Sequence, residues 1–254
     1  MIKYFSYLLL ASPLVACDGD FAPYAEVRGM RVLAAGADKP DLAPGETAQL
    51  SALVTADADL SWSWCPFAGP SSRGYPCLVT HQEMQDFADE FFPDPISIPN
   101  FYLGDDEVAD LENSVPPDFY RAACEVLIQR QNLPEGVRVP ECGSRFPLQV
   151  TLETTNGDAA ITSVFEVQLL LDDTAKANEN PTLEGVRARS GNEDVELLES
   201  SPTPLRRGEA YELELAIGAD QAEEFEIEGE ARHESLVATW FYEAGSYESS
   251  RTTY

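Results

Sequence analysis

Histidines and basic residues are scarce in this 254-residue chain, and long apolar runs are missing. Sixteen Lys+Arg stand against 45 Asp+Glu, for a formal charge of −29. No basic patch with interleaved aromatics offsets that charge, so phosphate backbones are repelled and nucleic-acid binding is excluded. The two histidines, His81 and His233, stand apart and outside any metalloprotease-type or triad-type pattern, and both are read as exposed polar residues. Gly-x-Ser-x-Gly is absent, as is a phosphate-cradling glycine loop. A zinc site would want closely spaced cysteines or a nearby histidine, and the sequence offers neither. Glycoside hydrolysis needs only two carboxylates, but 45 acidic residues make some pair at a workable separation inevitable, so proximity alone carries no weight. The chain is therefore read as a non-enzyme without cofactor or metal.

A hydrophobic content of 44% and an aromatic content of 10% sustain a sizeable core despite the charge. The 18 prolines and 16 glycines lie between short apolar stretches, which favours turns and short strands over a helix bundle. Lys3 is the only charge before Asp18, and it precedes the apolar run Tyr4 to Ala11, too short to span a bilayer, which needs about 20 residues. That layout reads as a secretory signal peptide over 1–16. Leu14-Val15-Ala16-Cys17 resembles the bacterial lipoprotein lipobox, which implies diacylation of Cys17 and a lipidated tether over 17–25. Two or more acyl chains give a stable anchor, since each buried methylene contributes about 0.8 kcal/mol and a single chain is marginal. Asp18 after the cysteine resembles the inner-membrane retention signal of enteric bacteria, a rule that is not universal, so both membranes stay open.

The remaining cysteines, Cys65, Cys77, Cys124 and Cys142, are an even number in an exported chain, where disulfides persist. Four cysteines allow three pairings. Sequential pairing, Cys65–Cys77 and Cys124–Cys142, closes the shortest loops and is the expectation.

Strands are expected over 27–35, 47–54 and 60–64, with Leu42 to Glu46 as a turn. The stretches 146–153 and 162–171 flank Asn156-Gly157 and read as a hairpin. Between Cys77 and Cys142 the period changes. Met84, Phe87, Ala88 and Phe91 follow a Thr80-x-x-Glu83 capping box and precede Pro93, and Pro117 opens a second helix with Tyr120, Cys124 and Leu127 on one face. A weak repeat sets Pro44-Gly45-Glu46-Thr47-Ala48-Gln49-Leu50 against Arg207-Gly208-Glu209-Ala210-Tyr211-Glu212-Leu213, each copy leading toward a tryptophan strand.

On the lipobox, the Gly-Glu turns and the tryptophan strands, the chain resembles bacterial lipoproteins with tandem Ig-like or PKD-like domains. The resemblance implies a mainly β chain: an Ig-like β-sandwich over 26–173 with a helical insertion at about 78–140, a linker over 174–181, and a second Ig-like domain over 182–254. Only 75 residues follow Glu179, and a closing hairpin is missing, so the second domain is expected to be incomplete, with Trp240 and Tyr242 partly uncovered. Asp172 to Pro181 distantly resembles the Asp/Asn-rich calcium linkers of cadherins, although a solvated linker is the plainer reading. The acidic run from Asp220 to Glu230 reads as an edge strand whose charged outer face resists aggregation, with a surface for cations or a basic partner as the alternative. The functional expectation is a lipid-anchored cell-envelope binding or scaffolding module. Its partners would be the membrane, through the N-terminal lipid, and an envelope protein or glycan. A carboxylate-dependent, glycan-directed envelope enzyme is the rival class.

Overall fold

The computed structural model describes residues 24–129, 143–172, 175–191, 193–197, 203–218, 221–227, 230–244, 246–249 and 251–253. The chain is mainly β, with several antiparallel sheets and, among the described residues, two α-helices. Val32–Ala37 (β1), Asp41–Leu42 (β2), Thr47–Val54 (β3) and Asp59–Cys65 (β4) come first. His81–Phe91 (α1), Tyr102–Gly104 (β5), Val108–Glu112 (β6) and Pro117–Gln129 (α2) follow, and then the long hairpin Arg145–Asn156 (β7) and Ala159–Leu170 (β8).

These strands make two sheets, ordered β1-β3-β6 and β2-β8-β7-β4-β5. Strict alternation along β3 and β4 buries Ala48, Leu50, Leu60, Trp62 and Trp64 on one side. They share one apolar cluster with Phe146, Leu148, Val150 and Leu152 of β7 and with Met84, Ala88, Phe119 and Leu127 of the helices. The hairpin turn lies one residue beyond the expected pair. Asn156 still pairs with Ala159, and the two central residues are Gly157, at φ 58, and Asp158. Glycine first with a positive φ is the II′ arrangement, whose twist suits the flanking strands.

The insertion is less helical than expected, because it also supplies an edge strand to each sheet: β5 pairs with β4, and β6 pairs with β3. Val108 to Glu112 alternates exposed and buried residues. Tryptophan chemistry fastens the insertion, since the Trp62 indole N–H donates to the Asp106 carbonyl at 3.0 Å and that of Trp64 to the Asn100 carbonyl at 2.8 Å. Helix α1 begins at the expected capping box: the Thr80 hydroxyl accepts from the Glu83 N–H, and the Glu83 carboxylate accepts from the Thr80 N–H. Pro117 is the first residue of α2, which buries Tyr120, Cys124 and Leu127. Phe91, expected on the buried face of α1, is exposed and lies beside Phe87 at 4.6 Å. His81 is corrected as well: it is half-buried, with its Nε2 2.8 Å from the Ile98 carbonyl and its ring edge-on to Phe101.

Beyond the linker lie Leu183–Ser190 (β9), Glu193–Leu197 (β10), Glu212–Ile217 (β11), Glu224–Ile227 (β12), Glu230–His233 (β13), Val237–Thr239 (β14) and Arg251–Thr253 (β15). They form a three-stranded sheet, β10-β9-β11, and two ribbons, β12-β13 and β14-β15. Within the acidic run, Glu224–Ile227 and Glu230 fall on the two paired strands of the β12-β13 ribbon, and Trp240 is half-buried. The repeat is visible in the backbone. Glu46 N–H donates to the Ala43 carbonyl and Glu209 N–H to the Arg206 carbonyl, with Gly45 and Gly208 at φ 81 and 85 in the third turn position. Each turn leads into a strand, β3 or β11, that pairs antiparallel with the strand two earlier in the chain, β1 or β9.

Candidate functional site

The loop closed by the Cys65–Cys77 disulfide is the most constrained piece of exposed backbone among the described residues. Its base is tied three times over. The disulfide joins the end of β4 to Cys77, Ala68 and Cys77 form an antiparallel bridge, and the Leu78 N–H donates to the Phe67 carbonyl at 2.9 Å. Phe67 is buried and meets Phe146 edge-on at 5.5 Å, which plugs the base into the core. The Gly69 N–H donates to the Pro76 carbonyl at 2.7 Å, and a Cβ at residue 69 would stand 2.9 Å from that same oxygen. Only glycine permits this approach.

At the tip, Ser71–Arg73 makes one tight helical turn, with Arg73 N–H donating to Pro70 and Gly74 N–H to Ser71. Gly74 (φ 76) and Tyr75 (φ 55) are then consecutive left-handed residues. Glycine adopts that conformation freely, but a tyrosine there carries a strain of about 1–2 kcal/mol. Tyr75 is the one non-glycine residue with positive φ among those described. It is held by Gln149 of β7, whose side-chain amide donates to the Tyr75 carbonyl at 3.3 Å, against the extended backbone that Pro76 favours in the residue before it. Residues Ser71 to Cys77 are all exposed, although Pro66, Phe67, Gly69 and Pro70 beneath them are buried. The result is a preordered projection bearing an arginine and a tyrosine on a strongly acidic chain. Tyrosine supplies large contact area with two torsions to freeze, arginine supplies charge and a planar set of donors, and an ordered loop loses little entropy on binding.

Behind this loop, α1 and α2 border a half-open apolar pocket of about 50 Å³ lined by Phe67, Val79, Met84, Phe87 and Leu127. Its one lining carboxylate, Glu83, serves the capping box. Burial holds the phenol of Tyr120 well above the usual tyrosine range, and a hydrogen bond to Asp105 raises that of Tyr102.

The cysteines divide. Cys65 and Cys77 are joined, and Cys124 is buried and disulfide-bonded. Cys17 and Cys142 lie outside the described residues. Among the described residues no three His, Cys, Asp or Glu side chains converge as metal ligands. Asp41, 3% exposed, instead accepts from Arg145 and from the Asn178 N–H, and the Asn180 amide donates to the Ala37 and Asp38 carbonyls. His233 is exposed and pairs with Glu224 across the β12-β13 ribbon. Sequence reasoning missed Tyr75, although Gly74-Tyr75-Pro76 inside a cysteine-closed loop was the available signal. No described helix is long and apolar enough to cross a membrane. Comparison with known proteins finds no matching family model, no similar curated protein and no similar solved structure.

Proposed function

We propose that the chain is an exported cell-envelope protein, lipid-anchored at Cys17 and built from Ig-like β-sandwich domains, that binds an envelope protein or glycan without catalysis. Tyr75 is the observation that carries this reading: an exposed aromatic kept in a strained conformation by a disulfide-closed loop and a buried glutamine. Strain of that kind persists where surrounding structure enforces it, and it clusters at sites that work by preorganised contact. Membrane fractions from cells producing the chain test both halves. Intact mass should show a mature species beginning at an acylated Cys17, and chemical crosslinking should trap a discrete partner that the Tyr75→Ala variant loses. Retention of Met1, or the same adducts in wild type and variant, would count against the reading.

A further inference from the structure

Residues Tyr24–Val27 are clamped onto the second unit. The Val27 N–H donates to the Tyr242 carbonyl at 2.8 Å, and the Tyr242 N–H donates to the Ala25 carbonyl at 2.9 Å, so Glu26 and Tyr242 form a parallel bridge. The Tyr24 ring packs on Phe241 at 5.7 Å and has the Arg251 guanidinium 5.5 Å from its centroid. Arg31 donates to the Tyr24 carbonyl. Ala25 is buried by this clamp, yet Tyr24 remains 62% exposed. Register places Thr239 opposite Arg251 and Val237 opposite Thr253, so Val237, also exposed, shares a face with Arg251.

Three arginines, Arg28, Arg31 and Arg251, lie at this clamp in a chain of strongly acidic balance. Arg28 is tied to Glu26. Among the described residues Arg31 and Arg251 have no carboxylate in salt-bridge reach, meeting a carbonyl and an aromatic face instead. The exposed Glu243 and Glu248 border the patch.

Two distances orient it. Cys17 and Tyr24 are seven residues apart, which extended chain spans in at most about 25 Å. The patch and the disulfide loop also lie at opposite ends of β4. The Arg31 N–H donates to the Thr55 hydroxyl, Asn156 donates to the Asp57 carbonyl, and β4 then runs from Asp59 to Cys65, about 20 Å of strand.

We propose that the surface formed by Tyr24, Arg31, Val237 and Arg251 lies against phospholipid headgroups, so that the Cys65–Cys77 loop points away from the membrane. This rests on the lipid-anchor reading. Guanidinium groups match phosphates, tyrosine and valine suit the headgroup boundary, and the acidic remainder is repelled from an anionic leaflet.

The test uses acylated full-length protein, extracted from membranes and reconstituted into mixed phosphatidylcholine and phosphatidylglycerol vesicles. Trp240 beside Phe241 is half-buried, whereas Trp62 and Trp64 are buried, so Trp240 is the responsive fluorophore, and Trp240→Phe identifies its share. Lipids brominated near the headgroup should remove most of the Trp240 emission, and aqueous iodide should lose its access. The Arg31→Glu/Arg251→Glu variant should still float with the vesicles but recover both. Protein that carries the acyl mass and floats, yet shows undiminished iodide access and no lipid quenching, overturns the proposal and leaves the anchor standing. Protein with neither acyl mass nor flotation removes the anchor and the proposal together.

Discussion

Gln149, buried in the middle of β7, donates its side-chain amide to the carbonyl of Tyr75 at 3.3 Å and so couples the five-stranded sheet to the tip of an exposed loop. A buried polar side chain is kept where its hydrogen bonds are made, and Gln149 makes a second one to the Thr151 hydroxyl. The core thereby fixes the conformation of a surface residue 74 positions away in sequence.

The left-handed backbone at Tyr75 predicts an inverted mutational response. Tyr75→Gly should stabilise the fold by about 1 kcal/mol, because glycine adopts φ 55 without strain. Tyr75→Val should destabilise it by at least about that much, since a β-branched side chain tolerates positive φ worst. Urea unfolding of the two variants beside wild type reads this difference. Equal midpoints would mean that the loop carries no strain.

Thr154 is fully buried on β7, and its hydroxyl has no hydrogen-bond partner among the described residues. Thr154→Val keeps the shape and removes the unsatisfied group, so it should raise stability by about 1 kcal/mol. Thermal unfolding would show a higher midpoint, and a lower one would imply a hydrogen bond in solution.

Asp41 and Arg145 bind the linker to the first sheet pair. Asp41 is nearly inaccessible, whereas Arg145 is 40% exposed, so solvent screens one end of the pair. Arg145→Met should cost about 2 kcal/mol by leaving the aspartate uncompensated, and adding Asp41→Asn should restore part of that loss. A double-mutant cycle by chemical denaturation measures the coupling. Additive losses would contradict the pairing.

Glu46 links the repeated turn to pH. Its carboxylate lies below the usual range, chiefly because it accepts the Ala43 N–H, with Lys39 adding a second hydrogen bond. A depressed folded-state value means that its contribution is present above the ordinary carboxylate range and is lost as pH falls through the folded value. Glu46→Gln should therefore narrow the stability gap between neutral and acid conditions. An unchanged acid-unfolding profile would contradict this.

Strand alternation and caps were legible because their signals are local. Trp62 and Trp64 show their inward face by spacing alone, and Thr80 and Glu83 satisfy a helix start within one turn. What escaped depends on distant partners. Strands β5 and β6 are short, and the segment around β5 is fastened by Trp62 and Trp64, whose indoles reach carbonyls some 40 residues on. His81 looked exposed because nothing nearby in sequence announces the Ile98 carbonyl or Phe101. Asp41 and Arg145 are 104 positions apart. Tyr75 was hidden for a related reason, since its strained conformation follows from Gln149 and the closed disulfide rather than from its own side chain.

Site-directed photocrosslinking in native membranes tests the central claim most directly. A photoreactive residue placed at Tyr75 is compared with one at Gln49, an exposed position on β3. The account predicts a discrete adduct from position 75, absent from position 49 and lost when Cys65 and Cys77 are both replaced by serine. Identical adducts from both positions, or none from position 75 in membranes that hold the acylated protein, would contradict it.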